Sequence, residues 1–360
     1  MPRARDLGIR IGRLPTGPTS SVLDVAGVGL GHTTLVRDDP PPPGGRGTAR
    51  TGVTVLSLAE DAYRRPLAAG GAVLNGAGEC TGFLTAAEWG TLETPVYLTS
   101  TMQLGRVYDA ACEIELDRDR EVAVDVVIPV VGECDDSYLN DCRRMQVTTD
   151  DVRAAHRAAA ESRGASEPPP EGAVGSGTGM SCLGFKGGIG TSSRVTDDGY
   201  TVAVLLMTNF GTREQLVVAG VPVGRLLATT QEPAKPAGSC IGVVVTDAPV
   251  DGAGCARLAR RTGLGLARAG SAAHHGSGEI FLAASTTRRS DRDGTVEPGP
   301  LVTGRAMDPL FQAVVDAVEE SVLNSMLQSP TVVGRDGNIS EGLDPGTVVR
   351  LLEEAGRDRD

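Results

Sequence analysis

The sequence predicts a chain of mixed α and β class, and three features carry that expectation. Seven short, nearly continuous apolar runs read as strands, and four longer amphipathic segments between and after them read as helices. The third feature is composition. With 48 glycines and only 3% aromatic residues in 360, the core has to be built from Val, Leu, Ile and Ala with backbones packed close together.

Taken in order, the strand candidates are Val22–Leu30, Val53–Leu58, Val96–Leu98, Val122–Val131, Thr201–Met207, Ile241–Thr246 and Glu279–Ala284. Runs that are apolar on both faces suit strands covered on both sides. A helix is expected from Thr149 to Ser162, with Thr149 as N-cap and Asp150 and Asp151 in its first turn. Cys255–Arg268 and Thr347–Glu354 are shorter helices. Asp308-Pro309 opens the longest, Leu310–Leu327, with proline at a first-turn position and one apolar face throughout. Asp38–Gly47 and Ser162–Gly172, each with a proline run, read as loops inside one large domain. Periodicity alone leaves open whether the strands form a doubly wound sheet or a layered sandwich.

Bulk properties exclude several classes of function. A net charge of −12 argues against nucleic acid as a partner. The basic start (Arg3, Arg5, Arg10, Arg13) is followed by no apolar run of the kind a secretory signal carries. No run is long enough to span a membrane. Seven scattered cysteines without a CxxC pair suggest reduced thiols and a cytoplasmic protein. The four histidines form no metal-ligand pattern, so neither a zinc site nor a histidine triad is expected.

Chemistry concentrates at three places. Gly238-Ser239 precedes the apolar run from Ile241. If that bond breaks, Ser239 gains a free α-amine beside its hydroxyl, and an amine titrating near about 8 is a competent base for a hydroxyl. Ser277-Gly278-Glu279 enters another strand, and alternation puts the hydroxyl and carboxylate on one face. Asn209, at the end of Thr201–Met207, carries amide hydrogens suited to an oxyanion. The glycine-rich stretch Gly175–Thr191 has Lys186 before glycine, so it is no phosphate-binding loop and reads as a set of tight turns. Gly263-Leu264-Gly265 sits in a helical pattern and is no dinucleotide fingerprint.

Together these segments resemble the self-processing aminopeptidases of the DmpA type, which include L-aminopeptidase/D-amidase/esterases and β-peptidyl aminopeptidases. The resemblance runs through Leu23–Val28, Asn75–Gly82, Pro129–Glu133, Gly177–Met180 with Phe185–Thr191, Ala219–Gly224, Gly238-Ser239 with Val245–Pro249, Asn324-Ser325 and Thr331–Gly337. It implies an α+β fold, a four-layer αββα sandwich like that of N-terminal-nucleophile hydrolases and ornithine acetyltransferases. It implies cleavage after Gly238 into residues 1–238 and 239–360, Ser239 as nucleophile, and Asn209 in the oxyanion hole. Ser277 and Glu279 would orient the nucleophile and its amine. Tyr138 would be an active-site tyrosine, and Glu133 would anchor the free amino group of the substrate. Small peptides, amides or esters would be the substrates, no metal or organic cofactor would be needed, and a homotetramer of cleaved heterodimers would be the assembly.

The chain departs from the family pattern at Cys240, at Ser181-Cys182, and in the acidic segment Glu133–Ser137, which lacks tryptophan. Two other readings remain open: an acyltransferase on the same scaffold, against which a serine rather than threonine at 239 speaks, and an uncleaved homologue that acts as a binding or assembly protein.

Overall fold

In a computed structural model of the chain, residues 1–227 and 238–356 are described. The first half carries β1 (Gly29–Asp38), β2 (Thr48–Ser57), β3 (Leu67–Gly76), β4 (Thr91–Leu92), β5 (Val96–Ser100), α1 (Leu104–Arg118), β6 (Val130–Cys134) and α2 (Thr149–Glu161). Then come β7 (Ser181–Cys182), β8 (Phe185–Lys186), β9 (Gly188–Val195), β10 (Thr201–Asn209) and α3 (Val223–Leu226). The rest comprises β11 (Ser239–Thr246), α4 (Gly252–Ala269), β12 (Gly278–Arg289), α5 (Asp308–Leu327), β13 (Val332–Val333), β14 (Ile339–Ser340) and α6 (Pro345–Glu354).

Two sheets result. One has the order β1-β2-β5-β6, the other β4-β3-β12-β11-β10-β9. Within them β5 with β6 and β11 with β12 are parallel, and the remaining pairs antiparallel. Alternation along the buried strands decides the layering. In β10, Ala203, Leu205 and Met207 meet Ile241, Val243 and Val245 of β11 and Leu56 and Leu98 of the facing sheet in one apolar cluster. Val202, Val204 and Leu206 point the other way, into a cluster with Leu258 and Leu266 of α4 and Val314 and Val318 of α5. On the far side of the smaller sheet, Val53, Val55 and Tyr97 pack on Val107 and Ile114 of α1 and Val152 of α2. Helix, sheet, sheet, helix is the four-layer αββα sandwich that the resemblance implies.

The glycine-rich composition has a local purpose. A Cβ on Gly190 of β9 would lie 1.9 Å from the Ser321 carbonyl oxygen of α5, and one on Gly31 of β1 would lie 2.2 Å from the Ala159 nitrogen of α2. Backbone packs on backbone where an aromatic-rich protein would interpose rings.

Several expected boundaries move. Val22–Leu30 is not one strand. Ser21 and Asp24 form a capping box that closes Val22–Asp24 into a single 3₁₀ turn, and pairing begins only at Gly29. In Val122–Val131 the strand starts at Val130, because Asp119 caps a turn over Arg120–Ala123. The N-cap of α2 is Thr148 rather than Thr149, with Asp151 completing its capping box. The glycine-rich stretch is only partly turns, since Gly188–Val195 is a full strand paired with β10.

Candidate active site

Ser239 opens β11 and is buried, 3% exposed. The antiparallel register sets it directly opposite Asn209, the last residue of β10. On the other side, Cys240 pairs with Glu279 of β12. The two parallel strands thus bring Gly238 beside Ser277: a Cβ on Gly238 would sit 2.6 Å from both Cα and Cβ of Ser277 and 2.9 Å from its Oγ. Only glycine fits at that point. Ser277 in turn donates its hydroxyl hydrogen to Glu279 Oε1, the side-by-side arrangement that alternation predicts. Glu279 is fully buried, and its Oε2 has no hydrogen-bond partner among the described residues. Burial pushes its carboxyl up, against the pull of the Ser277 hydroxyl.

Asn209 is held from both ends. Its Oδ1 accepts from the Ser181 N–H at 2.9 Å, and its Nδ2 donates to the Asp135 carbonyl at 2.8 Å. A side-chain amide has two hydrogens on nitrogen, so one remains beyond the bond to Asp135. Ser181 enters the site through its backbone, a contribution that its place among the departures from the family pattern did not suggest.

Glu133 lies in β6, buried, with Oε1 accepting from the Glu79 N–H at 2.8 Å and Oε2 from the Thr101 hydroxyl. Burial raises its carboxyl, opposed by those two hydrogen bonds. Tyr138 is half-buried, and its hydroxyl donates to the Ile339 carbonyl of β14 at 3.3 Å rather than to Ser239 or Asn209. It stands three residues beyond Asp135, on the loop that receives the Asn209 amide.

The structure adds two residues that sequence reasoning did not place here. The Cys134 thiol of β6 donates to the Met207 carbonyl of β10 at 3.7 Å, close by the Ser239 hydroxyl. Burial, then the Glu133 carboxylate, keep that thiol protonated far above its ordinary range, so it is a neutral neighbour and no rival nucleophile. Lys186 is fully buried. Its Nζ donates to the carbonyls of Gly177 at 3.0 Å, Met180 at 2.6 Å and Gly187 at 2.7 Å, and burial lowers it to about 7. It pins the turn that ends at Ser181. Cys240 and Cys182 are buried in the cluster on the helix side of the larger sheet, as packing residues. No cluster that could ligate a metal occurs among the described residues.

A serine behind a glycine at the head of a central strand, in a four-layer αββα sandwich, defines a hydrolase of the N-terminal-nucleophile fold. A solved structure described as a new variant of that fold, the L-aminopeptidase D-Ala-esterase/amidase of Ochrobactrum anthropi, superposes with a TM-score of 0.89 at 34% identity over 99% of both chains. The chain belongs to peptidase family S58, whose model matches residues 20–340, and it is a serine aminopeptidase/amidase. A β-peptidyl aminopeptidase of Sphingosinicella xenopeptidilytica is 37% identical over 98% of this chain and 91% of that protein. A β-aminopeptidase of a Burkholderia species matches with a TM-score of 0.88 and 39% identity over 99% of each chain.

Proposed function

We propose that the chain cleaves itself between Gly238 and Ser239, and that the new N-terminal serine then releases N-terminal residues from short peptides, amides or esters. What carries the proposal is the contact of Gly238 with Ser277, whose hydroxyl engages a buried carboxylate with one oxygen to spare.

In maturation, Ser239 Oγ adds to the Gly238 carbonyl carbon, and its proton passes to the departing Ser239 nitrogen. The peptide C–N bond breaks as the ester C–O bond forms. Water then hydrolyses the ester, leaving the Gly238 carboxylate and a free Ser239 amine. That amine occupies the ground next to Ser277, and the unpaired oxygen of Glu279 is the acceptor for it. The pieces are residues 1–238 and 239–360, within one catalytic domain.

In turnover, the Ser239 amine takes the hydroxyl proton as Oγ attacks the scissile carbonyl. The free Nδ2 hydrogen of Asn209 stabilises the oxyanion, worth about 3 kcal/mol in the transition state. The leaving amine takes the proton, and water releases the acyl group. Glu133 anchors the substrate ammonium, and Tyr138 lines the site from the loop beyond Asp135. The names of the relatives make β-amino-terminal peptides the first substrates to try. We further propose a cytoplasmic homotetramer of cleaved heterodimers, in keeping with the absence of any disulfide among the described cysteines.

Intact mass spectrometry of the purified protein beside Ser239→Ala tests the first step. Two species dividing between Gly238 and Ser239, absent from the variant, are expected. One full-length species from both proteins would remove Ser239 as nucleophile.

A further inference from the structure

The two anchors of Asn209 sit on separate segments, Asp135 on the loop after β6 and Ser181 where a turn enters β7, and both segments are bound by the same third element. That element is the hairpin of β13 and β14 with its turn Arg335–Gly337, far along the chain from either segment. On one side it grips the loop after Asp135. Arg335 Nε donates to the Ser137 carbonyl at 2.6 Å, Asn338 Nδ2 to the Tyr138 carbonyl at 2.8 Å, and the Arg335 N–H to the Leu139 carbonyl at 2.8 Å. Gly334 lies so close to Leu139 that a Cβ there would be 2.4 Å from its Cα. On the other side the hairpin grips the turn that presents Ser181. The Ser340 and Ser181 hydroxyls are 2.8 Å apart, and the Glu341 carbonyl accepts from the Lys186 N–H at 2.6 Å.

We propose that this hairpin sets the aim of the Asn209 amide, with Arg335 and Asn338 as positioning residues for the oxyanion hole. The role rests on Asn209 being the oxyanion donor. Asn209 Oδ1 and Nδ2 bond to Ser181 and Asp135 in opposite senses, so the rotation of the amide follows the spacing of those two segments. The two touch directly, a Cβ on Gly179 falling 2.7 Å from that of Asp136, and the hairpin ties them further by hydrogen bonds to both. Its outer side chains are solvent-facing, with Val333 and Ile339 each 51% exposed, so hydrophobic burial explains it poorly. In the cleaved enzyme the hairpin would belong to the second piece and Asn209 to the first, which makes the oxyanion hole a joint product of both.

The test is a double-variant cycle in the full-length chain with an aminoacyl p-nitroanilide, rates taken per mole of free Ser239 N-terminus. Removing an oxyanion donor outright costs about 10²–10³ in kcat. Arg335→Ala and Asn338→Leu, which misaim it, are each expected to lower kcat about tenfold with KM within about twofold, and Arg335→Lys to recover part of the loss. On an Asn209→Ala background, Arg335→Ala should cost less than about twofold more, because the group it aims is gone. Losses that multiply in the double variant, or an unchanged kcat in Arg335→Ala, would overturn the proposal. A wild-type kcat in Asn209→Ala alone would instead sink the oxyanion assignment on which it stands.

Where a variant fails to mature, the uncleaved Ser239→Ala chain supplies a second readout. The Asn209 side-chain NH₂ resonances, identified by their loss in Asn209→Ala, should shift on Arg335→Ala while the unfolding midpoint stays put. Unmoved resonances would refute the coupling.

Discussion

At Glu279 the informative atom is Oε2, which has no hydrogen-bond partner among the described residues. A buried acceptor left without a hydrogen bond costs about 1–3 kcal/mol, and the neighbouring Ser277 already satisfies the other oxygen. On the proposed cleavage, a free ammonium at Ser239 would relieve that cost, and the defect of the uncleaved chain would become a contact of the mature one. Glu279→Gln keeps the shape and an acceptor for Ser277 but removes the charge. It should lower kcat about a hundredfold, in the range that proton-transfer groups supply. The pH profile separates this from a packing effect. Burial raises the Glu279 carboxyl, and the ionised form is the one required. Protonation of the Ser239 amine gives both proteins an acid limb; activity of the wild type should fall a second time as pH drops further, through the raised Glu279 value, and the variant should lack that lower limb. A lower limb common to both proteins would rule Glu279 out as its source. Ser277 and Glu279 are legible as a pair from sequence because the alternation of a strand suffices. The opposition of Ser239 and Asn209 is not, because it depends on the register between β10 and β11. The neighbours Cys134 and Ser181 come from elements brought in by tertiary packing alone.

Among the elements, those with apolar periodicity read true: β10, β11, α4 and α5 fall close to their expected spans. Strands β3 and β9 escape notice because Gly and Ala in the first, and Gly, Ser and Thr in the second, give almost no hydrophobic signal. What makes β9 a strand is pairing with β10 and contact with α5, neither of which its own residues announce. Val22–Leu30 fails for the opposite reason, since a strong apolar run is overruled by the local Ser21–Asp24 cap. If close approach is the purpose of the glycines, Gly190→Ala must push α5 off the sheet, because its Cβ would meet the Ser321 backbone and the Cβ of Ser325, neither of which can swing aside. A loss of about 1–3 kcal/mol is expected for such overpacking, read as a lower urea midpoint with an unchanged slope. Gly105→Ala is the control. In α1 nothing lies within 4 Å of its Cβ, so helix propensity should hold stability level or raise it by a few tenths of a kcal/mol. Equal losses at both positions would mean that flexibility and not packing distance decides where this chain needs glycine.

For the molecule as a whole, the position of Gly238-Ser239 sets what cleavage can and cannot do. Strands β11 and β12, both beyond Ser239, are the two central strands of the larger sheet, flanked by β3 and β10 from before it. Helices α4 and α5, also beyond the cut, supply most of one outer layer and seal a core that includes Val202, Val204 and Leu206. Arg194 of β9 meets Glu320 of α5 at 2.7 Å with both side chains buried, and Arg5 reaches the same carboxylate at 3.1 Å. Separating the pieces would strand those charges, and breaking one buried pair costs about 3–5 kcal/mol. It would also unzip the sheet on both sides of its centre. The proposed cut would release one backbone bond at a strand head and leave every one of these contacts in place. The two fragments are therefore expected to co-elute in gel filtration under native conditions and to melt in a single calorimetric transition, parting only in denaturant. Two transitions, or fragments resolved on a native column, would show that the covalent link and not the shared sheet holds the halves together.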